Sequence, residues 1–222
     1  SHFDGEKRIV LGYGGYMSEK GILNKYIRYD AFMIALQYFG MTIRGIPYMG
    51  VGRNMAYRRS LFFERKGFEG HTHIISGDDD LFVNSNATKT NTSVEFRHPA
   101  HTRSIPCSTF ESWIRQKKRH FTTAPYYKTL HKLLITMEPL SRMLYYITFI
   151  ILIIPLFFWQ VTVAIYGLRL TTRLLILIQA QKKLNEKRIA GYSLIFDIFS
   201  PVINSVIFFS NTITRSGKNK WK

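Results

Sequence analysis

The sequence predicts a mixed α/β domain followed by membrane helices, and three observations carry that prediction. Residues 9–125 switch repeatedly between strand-like and helix-like hydrophobic periods, with glycine and proline between them. Leu144–Gly167 is a run of 24 residues with no Lys, Arg, Asp or Glu. At about 1.5 Å per residue it is long enough to cross the ~30 Å hydrocarbon layer of a bilayer. Tyr192–Ser210 is a second apolar run, 19 residues long, with Asp197 as its one charge.

Bulk composition narrows the class further. The chain carries 31 Lys and Arg against 14 Asp and Glu, a formal net charge of +17, which favours anionic partners such as phospholipid headgroups and nucleotide phosphates. Its 17 Phe and 13 Tyr, with 46% apolar residues, exclude a disordered basic tail. The basic residues cluster around an apolar segment that water would not tolerate, so nucleic acid is not expected as a partner. Cys107 is the single cysteine, which rules out an intrachain disulfide and a cysteine-based zinc cluster. Ser1-His2-Phe3-Asp4 lacks an initiator Met and the features of a signal peptide, and reads as the interior of a longer chain or a processed product.

Taken in order, Ile9-Val-Leu-Gly12 reads as a buried strand running into a turn at Gly12, Gly14 and Gly15. Ile22, Tyr26, Tyr29, Phe32, Met33, Leu36 and Phe39 recur at helical steps and predict one apolar helix face, with Gly40 as its end. Glycines and aromatics alternate over 45–60, and Ser60 is a candidate cap for a short helix through Phe63. Residues 67–75 are expected to be loop or edge. Leu81-Phe82-Val83 begin a helix or turn that Asn84, Ser85 and Asn86 weaken. Thr92–Arg97 alternates like a strand closed by Pro99, and Ser108 or Thr109 caps a helix from Phe110, with Glu111 in its first turn.

In the apolar tail, Pro155 is expected to kink a Leu144–Gly167 span, with Tyr145, Tyr146 and Trp159 at an interface or a neighbouring helix. Leu168–Ala180, broken by Arg169 and Arg173, reads as a second crossing or an interfacial helix. Asp197 needs a partner or a protein-facing position. Basic flanks at Lys128, Lys132 and Arg142 and again at Arg215, Lys218, Lys220 and Lys222 put both ends on the cytoplasmic side and imply an even number of crossings. Lys182, Lys183, Lys187 and Arg188 conflict with two simple spans, a conflict that a re-entrant first hairpin avoids.

Two clusters carry the chemistry. Three adjacent carboxylates, Asp78, Asp79 and Asp80, repel one another, so at least one is expected to bind a cation, accept backbone N–H bonds or hold a raised pKa. The same run also suits a polar turn capping the next helix. Gln116, Arg119 and His120 follow at i, i+3 and i+4 on one helical face, with Arg115 four residues before Arg119. Guanidinium groups grip phosphate oxygens in pairs, and Trp113 is placed to back such a site or stack on a sugar. His71 and His73, and His98 and His101, are weak metal-pair candidates that read better as loop residues.

Together these motifs resemble the membrane-bound branch of family 2 glycosyltransferases, which includes cellulose, hyaluronan and ceramide sugar synthases. Gly77-Asp78-Asp79 resembles the family's ED or GDD motif, and Gln116-Lys117-Lys118-Arg119-His120 its Gln-x-x-Arg-Trp motif, with His120 in place of Trp. Gly50–Arg59 resembles the acceptor-side strand and turn. The resemblance covers residues 8–125. It implies the acceptor-side part of a GT-A (Rossmann-like) fold over 1–125, a juxtamembrane linker over 126–143, membrane helices over 144–213 and a basic cytoplasmic tail over 214–222.

By the same resemblance, the activity is inverting transfer of a sugar from a nucleotide sugar to a lipid or glycan hydroxyl. Asp79 is the implied base and Asp78 the second choice. Asp80 would orient the loop or bind an acceptor hydroxyl. Gln116, Arg119, His120, Arg115 and Trp113 would serve the diphosphate and substrate. Mg²⁺ or Mn²⁺ would be held by an Asp-x-Asp motif in a donor-binding half upstream of Ser1, and no metal ligand is assigned within this chain. The implied setting is a bacterial inner membrane with the catalytic part and C-terminus cytoplasmic, in contact with phospholipid. The competing reading is a noncatalytic scaffold or anionic-lipid-binding protein.

Overall fold

The structure, a computed structural model, describes residues 3–69, 74, 76–155 and 158–214. His71, His73 and the basic tail from Arg215 lie outside the described residues. Strand β1 (Ile9–Gly12) is the centre of a three-stranded sheet, as suits a segment buried at every position. It runs antiparallel to β3 (Met55–Tyr57), with Ile9 opposite Tyr57. On its other edge it runs parallel to β4 (Thr92–Glu95), with Ile9 opposite Thr92.

The glycine-rich turn expected after β1 is instead a second strand, β2 (Gly14–Tyr16), parallel to β5 (Thr102–Ser104). The glycines serve close approach rather than reversal. A Cβ on Gly12 would collide with the Asn54 amide, which donates to Tyr13 O at 2.9 Å and Ala100 O at 2.6 Å and so ties the turn before β3 to the β1–β2 junction and to the turn before β5.

Helix α1 (Ile22–Ile43) continues past Gly40, which meets nothing where a Cβ would sit, and ends at Arg44. Tyr26, Tyr29, Phe32 and Phe39 are buried as the periodicity predicts, while Ile22 is exposed. Ile27, Ala35 and Tyr38 are buried as well, because α1 lies between the strands and a layer of helix: Tyr38 OH donates to Gly12 O at 2.7 Å, while Phe196 of the last helix packs on Tyr26 and Tyr29. Ser60 lies inside α2 (Arg59–Glu64) rather than capping it. Helix α3 (Asp80–Asn86) follows the acidic run, and α4 (Phe110–Phe121) starts from Thr109, whose side chain accepts from Ser112 N in a capping box.

Three helices then form a layer against this domain: α5 (Thr129–Ile153), α6 (Trp159–Lys183) and α7 (Ile189–Thr214). Each is long and apolar enough to cross a membrane, α7 over Ile189–Asn211. The single span expected at Leu144–Gly167 is overturned, since α5 ends at Ile153 and α6, from Trp159, packs back along it, Tyr166 against Phe149 and Arg169 over Tyr145. Pro155 lies in this reversal, where its missing N–H and ring end a helix rather than kink one. Helix α5 runs unbroken across position 143/144, where the expected juxtamembrane linker meets the membrane helices, with Pro139 inside it. Leu168–Ala180 is the second half of α6, and not a separate element.

Buried ion pairs fasten the layer. Asp197 on α7, 1% exposed, accepts from Arg142 on α5 and Arg173 on α6, both at 2.8 Å, and from Tyr146 OH at 2.6 Å. This supplies the partner that an acid in an apolar helix requires. Glu186, in the α6–α7 turn, takes Arg28 of α1 at 2.5 Å, Tyr13 OH at 2.8 Å and the Arg103 guanidinium. Helix α7 lies along the α/β domain: Phe196 packs on Tyr26 and Tyr29, Phe208 meets Phe121, and Asn211 donates to Lys118 O.

Candidate active site

A turn at Gly77 delivers the acidic run. Its φ of +101° suits glycine, and a Cβ there would meet Leu81 at 2.6 Å and Thr123 at 2.9 Å. The three carboxylates then enter different surroundings. Asp78 is exposed. Asp79 caps α3, its Oδ1 accepting from Asp80 N at 2.8 Å and its Oδ2 from Gly52 N at 2.6 Å. Asp80 is buried at 8% exposure, with Thr123 Oγ1 at 2.7 Å and Tyr127 OH at 2.6 Å both donating to Oδ2. Its Oδ1 is buried without a partner.

Burial pushes the Asp80 pKa up to about 6, against the two hydroxyl donors, and the neighbouring Asp79 charge adds to the rise. Tyr127 is raised well above the usual phenol value by burial and by Asp80 itself. Thus one acid of the three sits near neutrality while Asp79 is held by backbone N–H groups.

A cavity of about 820 Å³ joins this acid to α4, within the size range of small-molecule sites. Asp80, Trp113, Gln116, Lys117 and His120 all line it, one face of α4 contributing at steps of three and four. Gln116 accepts weakly from Cys107 Sγ, and its Nε2 reaches Tyr16 OH at 3.5 Å. Lys117 is neutralised by Asp30 at 2.8 Å. His120 is exposed by surface area but crowded by protein on the cavity wall, and that crowding lowers its pKa. Burial is the main cause, with Lys117, Arg119 and Arg53 adding and the Asp79 carboxylate opposing.

Two predicted members stand apart. Arg119 is exposed and is not part of the cavity lining, and Arg115 is exposed and pairs with Glu111 at 3.4 Å. Trp113, 4% exposed, packs edge-on against Tyr26 at 5.3 Å and forms wall rather than an open stacking surface. Arg53, by contrast, lines the cavity with a buried, unpartnered Nε while its other nitrogens hold Tyr16 OH at 2.7 Å and Gly14 O at 2.9 Å. Sequence reading reached the Gly50–Arg59 segment but had no signal for Arg53, because nothing in its spacing links it to α4.

Among the described residues no group of three or more His, Cys, Asp or Glu side chains is placed to hold a metal ion. Asp78–Asp80 diverge, and His98 and His101 are spent on Lys182 O and Phe96 O. Among the described residues the donors are thus not gathered around a divalent cation, and no step is derived through one. The sequence matches no protein-family model and no curated relative.

Proposed function

We propose that the protein is an inverting glycosyltransferase that moves a sugar from a nucleotide sugar to a lipid or glycan hydroxyl, and that its fold is the acceptor-side part of a GT-A domain. The observation that carries this reading is Asp80, a carboxyl with a pKa of about 6 and a buried Oδ1 that no protein group satisfies, as a residue lining one cavity with Gln116 and His120. A general base works best with a pKa near the operating pH. The hydrogen bonding favours Asp80 over Asp79 as that base, since both Asp79 oxygens already accept backbone N–H bonds.

In the proposed step Asp80 takes the proton from an acceptor hydroxyl as its oxygen bonds to the anomeric carbon. The opposite bond, from that carbon to the diphosphate oxygen, breaks, and its electron pair leaves with the nucleoside diphosphate. Attack opposite the leaving group inverts the configuration. Arg53 and Gln116 are polar groups of the cavity wall that would steady the reactants, while Arg119 lies outside the lining. The donor-binding half and its Asp-x-Asp metal motif belong upstream in this reading.

The proposed setting is a bacterial inner membrane with the α/β part on the cytoplasmic face. The α5–α6 reversal supports it, because an in-and-out hairpin returns Lys182, Lys183, Lys187 and Arg188 to the side of Lys128 and Lys132. The packing of α7 along α1 and α4 keeps its far end near the domain as well. Incorporation of labelled sugar by membranes containing the full-length protein, with nucleotide sugar supplied, tests the reading. Absence of any nucleotide-sugar-dependent product across lipid and glycan acceptors would reject it.

A further inference from the structure

Asp80 lines only one end of the cavity. From there the space passes Val51, Met49, Ile34 and Ala31 and runs between α1 and the helical layer, to Ile135 and Pro139 of α5 and Pro201 and Phe208 of α7. Along this path most charged groups are matched; the polar exceptions are Lys132, which donates to Pro125 O at 3.4 Å, and the unpartnered Asn204 Oδ1 and Arg142 Nε. Lys117 is bound to Asp30, Arg142 to Asp197 and Glu138, and the Gln37 amide oxygen accepts from Tyr48 OH at 2.9 Å. The far wall reaches the surface through Thr136, Phe208 and Phe209, the last 64% exposed. Neighbouring residues on the same two helices, Leu133, Met137, Leu140, Val202 and Val206, form an exposed apolar face that belongs in hydrocarbon rather than water.

We propose that this cavity holds the hydrocarbon chain of the acceptor, so that the acceptor is a membrane amphiphile. It would enter between α5 and α7 and present its hydroxyl at Asp80, Gln116 and His120. The proposal rests on reading the Asp80 end as the transfer site. A growing glycan chain does not suit these walls, because each sugar ring carries several hydroxyls that lose water on entry and would find mostly apolar side chains, with Lys132 and Asn204 too few to replace it. A hydrocarbon chain arriving from the bilayer loses no such bonds. The Asp80 end offers the polar side chains of Asp80, Gln116, His120 and Arg53 to a hydroxyl, while Ala31, Ile34, Ile135, Pro139 and Phe208 offer apolar wall to a hydrocarbon chain.

The test uses the full-length protein in phosphatidylethanolamine and phosphatidylglycerol vesicles with a monoacylglycerol whose palmitoyl chain carries a diazirine a few carbons from its ester. After illumination, mass spectrometry locates the adducts. The expected adducts include α1 residues 27–34 and the Met49–Val51 segment. Filling the cavity with A31W, or narrowing its α7 side with S205W, should lower those adducts tenfold or more. Adducts on Ile151 and Val163, at the exposed end of the α5–α6 hairpin, should not change. Either variant suffices if the other fails to fold. Adducts confined to outer faces of α5–α7, or cavity adducts indifferent to both variants, would overturn the proposal. Cavity labelling with no sugar transfer to any amphiphile would refute the transferase reading while leaving the chain site standing. Undiminished transfer to a soluble oligosaccharide in both variants would refute the amphiphile and leave the transferase reading standing.

Discussion

The hydroxyl of Tyr127 donates to Asp80 Oδ2 at 2.6 Å, so a residue just ahead of the membrane helices sets the charge of the proposed base. This bond favours the ionised carboxyl and restrains a pKa that burial alone would push further up. Hydrogen bonds to charged groups contribute roughly 1.5–3 kcal/mol, equivalent to about one to two pKa units. Tyr127→Phe should therefore move the acidic limb of the pH–rate profile upward by about one unit, from a midpoint near 6. An unmoved midpoint would dissociate Asp80 from the rate.

The same carboxyl makes a signed contribution to stability. Its folded pKa lies above its ordinary value, so the folded state binds the proton more tightly than the unfolded chain. Its stabilisation is complete below about pH 4 and is lost as the pH rises through about 6. Denaturation midpoints for wild type and D80N should consequently converge or cross over that interval. Parallel curves from pH 4 to pH 7 would contradict the assigned environment.

His120 has the opposite sign. Its pKa is depressed, chiefly by burial, so folding favours the neutral ring, and that contribution is present above about pH 6.5 and lost as the pH falls. The imidazole C–H resonance of His120, assigned through H120A, should titrate below 6.5. A midpoint above 7 would mean that Asp79 dominates the cations and the burial around it.

The Asp197 cluster should govern stability rather than chemistry. Asp197→Ala leaves Arg142 and Arg173 buried without their shared carboxylate, and removing one partner of such a cluster costs about 3–5 kcal/mol. Thermal unfolding of purified protein in detergent should show that loss. A change below about 1 kcal/mol would mean that water or lipid already screens the site.

Membrane retention follows from the exposed apolar faces of α5–α7. The protein should remain in the membrane pellet after carbonate and high-salt washes, because buried hydrocarbon contacts do not weaken with ionic strength as headgroup attraction does. Recovery in the supernatant would reduce the helical layer to a surface anchor.

Local signals in the sequence carried far. The periods of Ile9–Gly12, Ile22–Phe39 and Thr92–Glu95, and the Thr109 cap, each reflect a chain segment acting on itself. What stayed hidden depends on partners distant in the chain. Gly14–Tyr16 reads as a turn until Thr102–Ser104 lies beside it. An uncharged run such as Leu144–Gly167 has a length but no marker that tells a kink at Pro155 from a reversal. Within the candidate site the acidic run and the α4 motif were legible as clusters. Their division of labour was not: Asp79 is bound by Gly52 and Asp80 by Thr123 and Tyr127, contacts that only the folded chain creates.

The central claim is that Asp80 removes the acceptor proton in an inverting sugar transfer. Its most direct test is the rate of labelled-sugar incorporation by the full-length protein, comparing wild type with D80N and D79N at equal expression and fold. The account predicts a loss of about 10²–10⁴ in D80N, a smaller loss in D79N through its cap on α3, and inverted anomeric configuration in the wild-type product. Full activity in D80N, or retained configuration in the product, would contradict it.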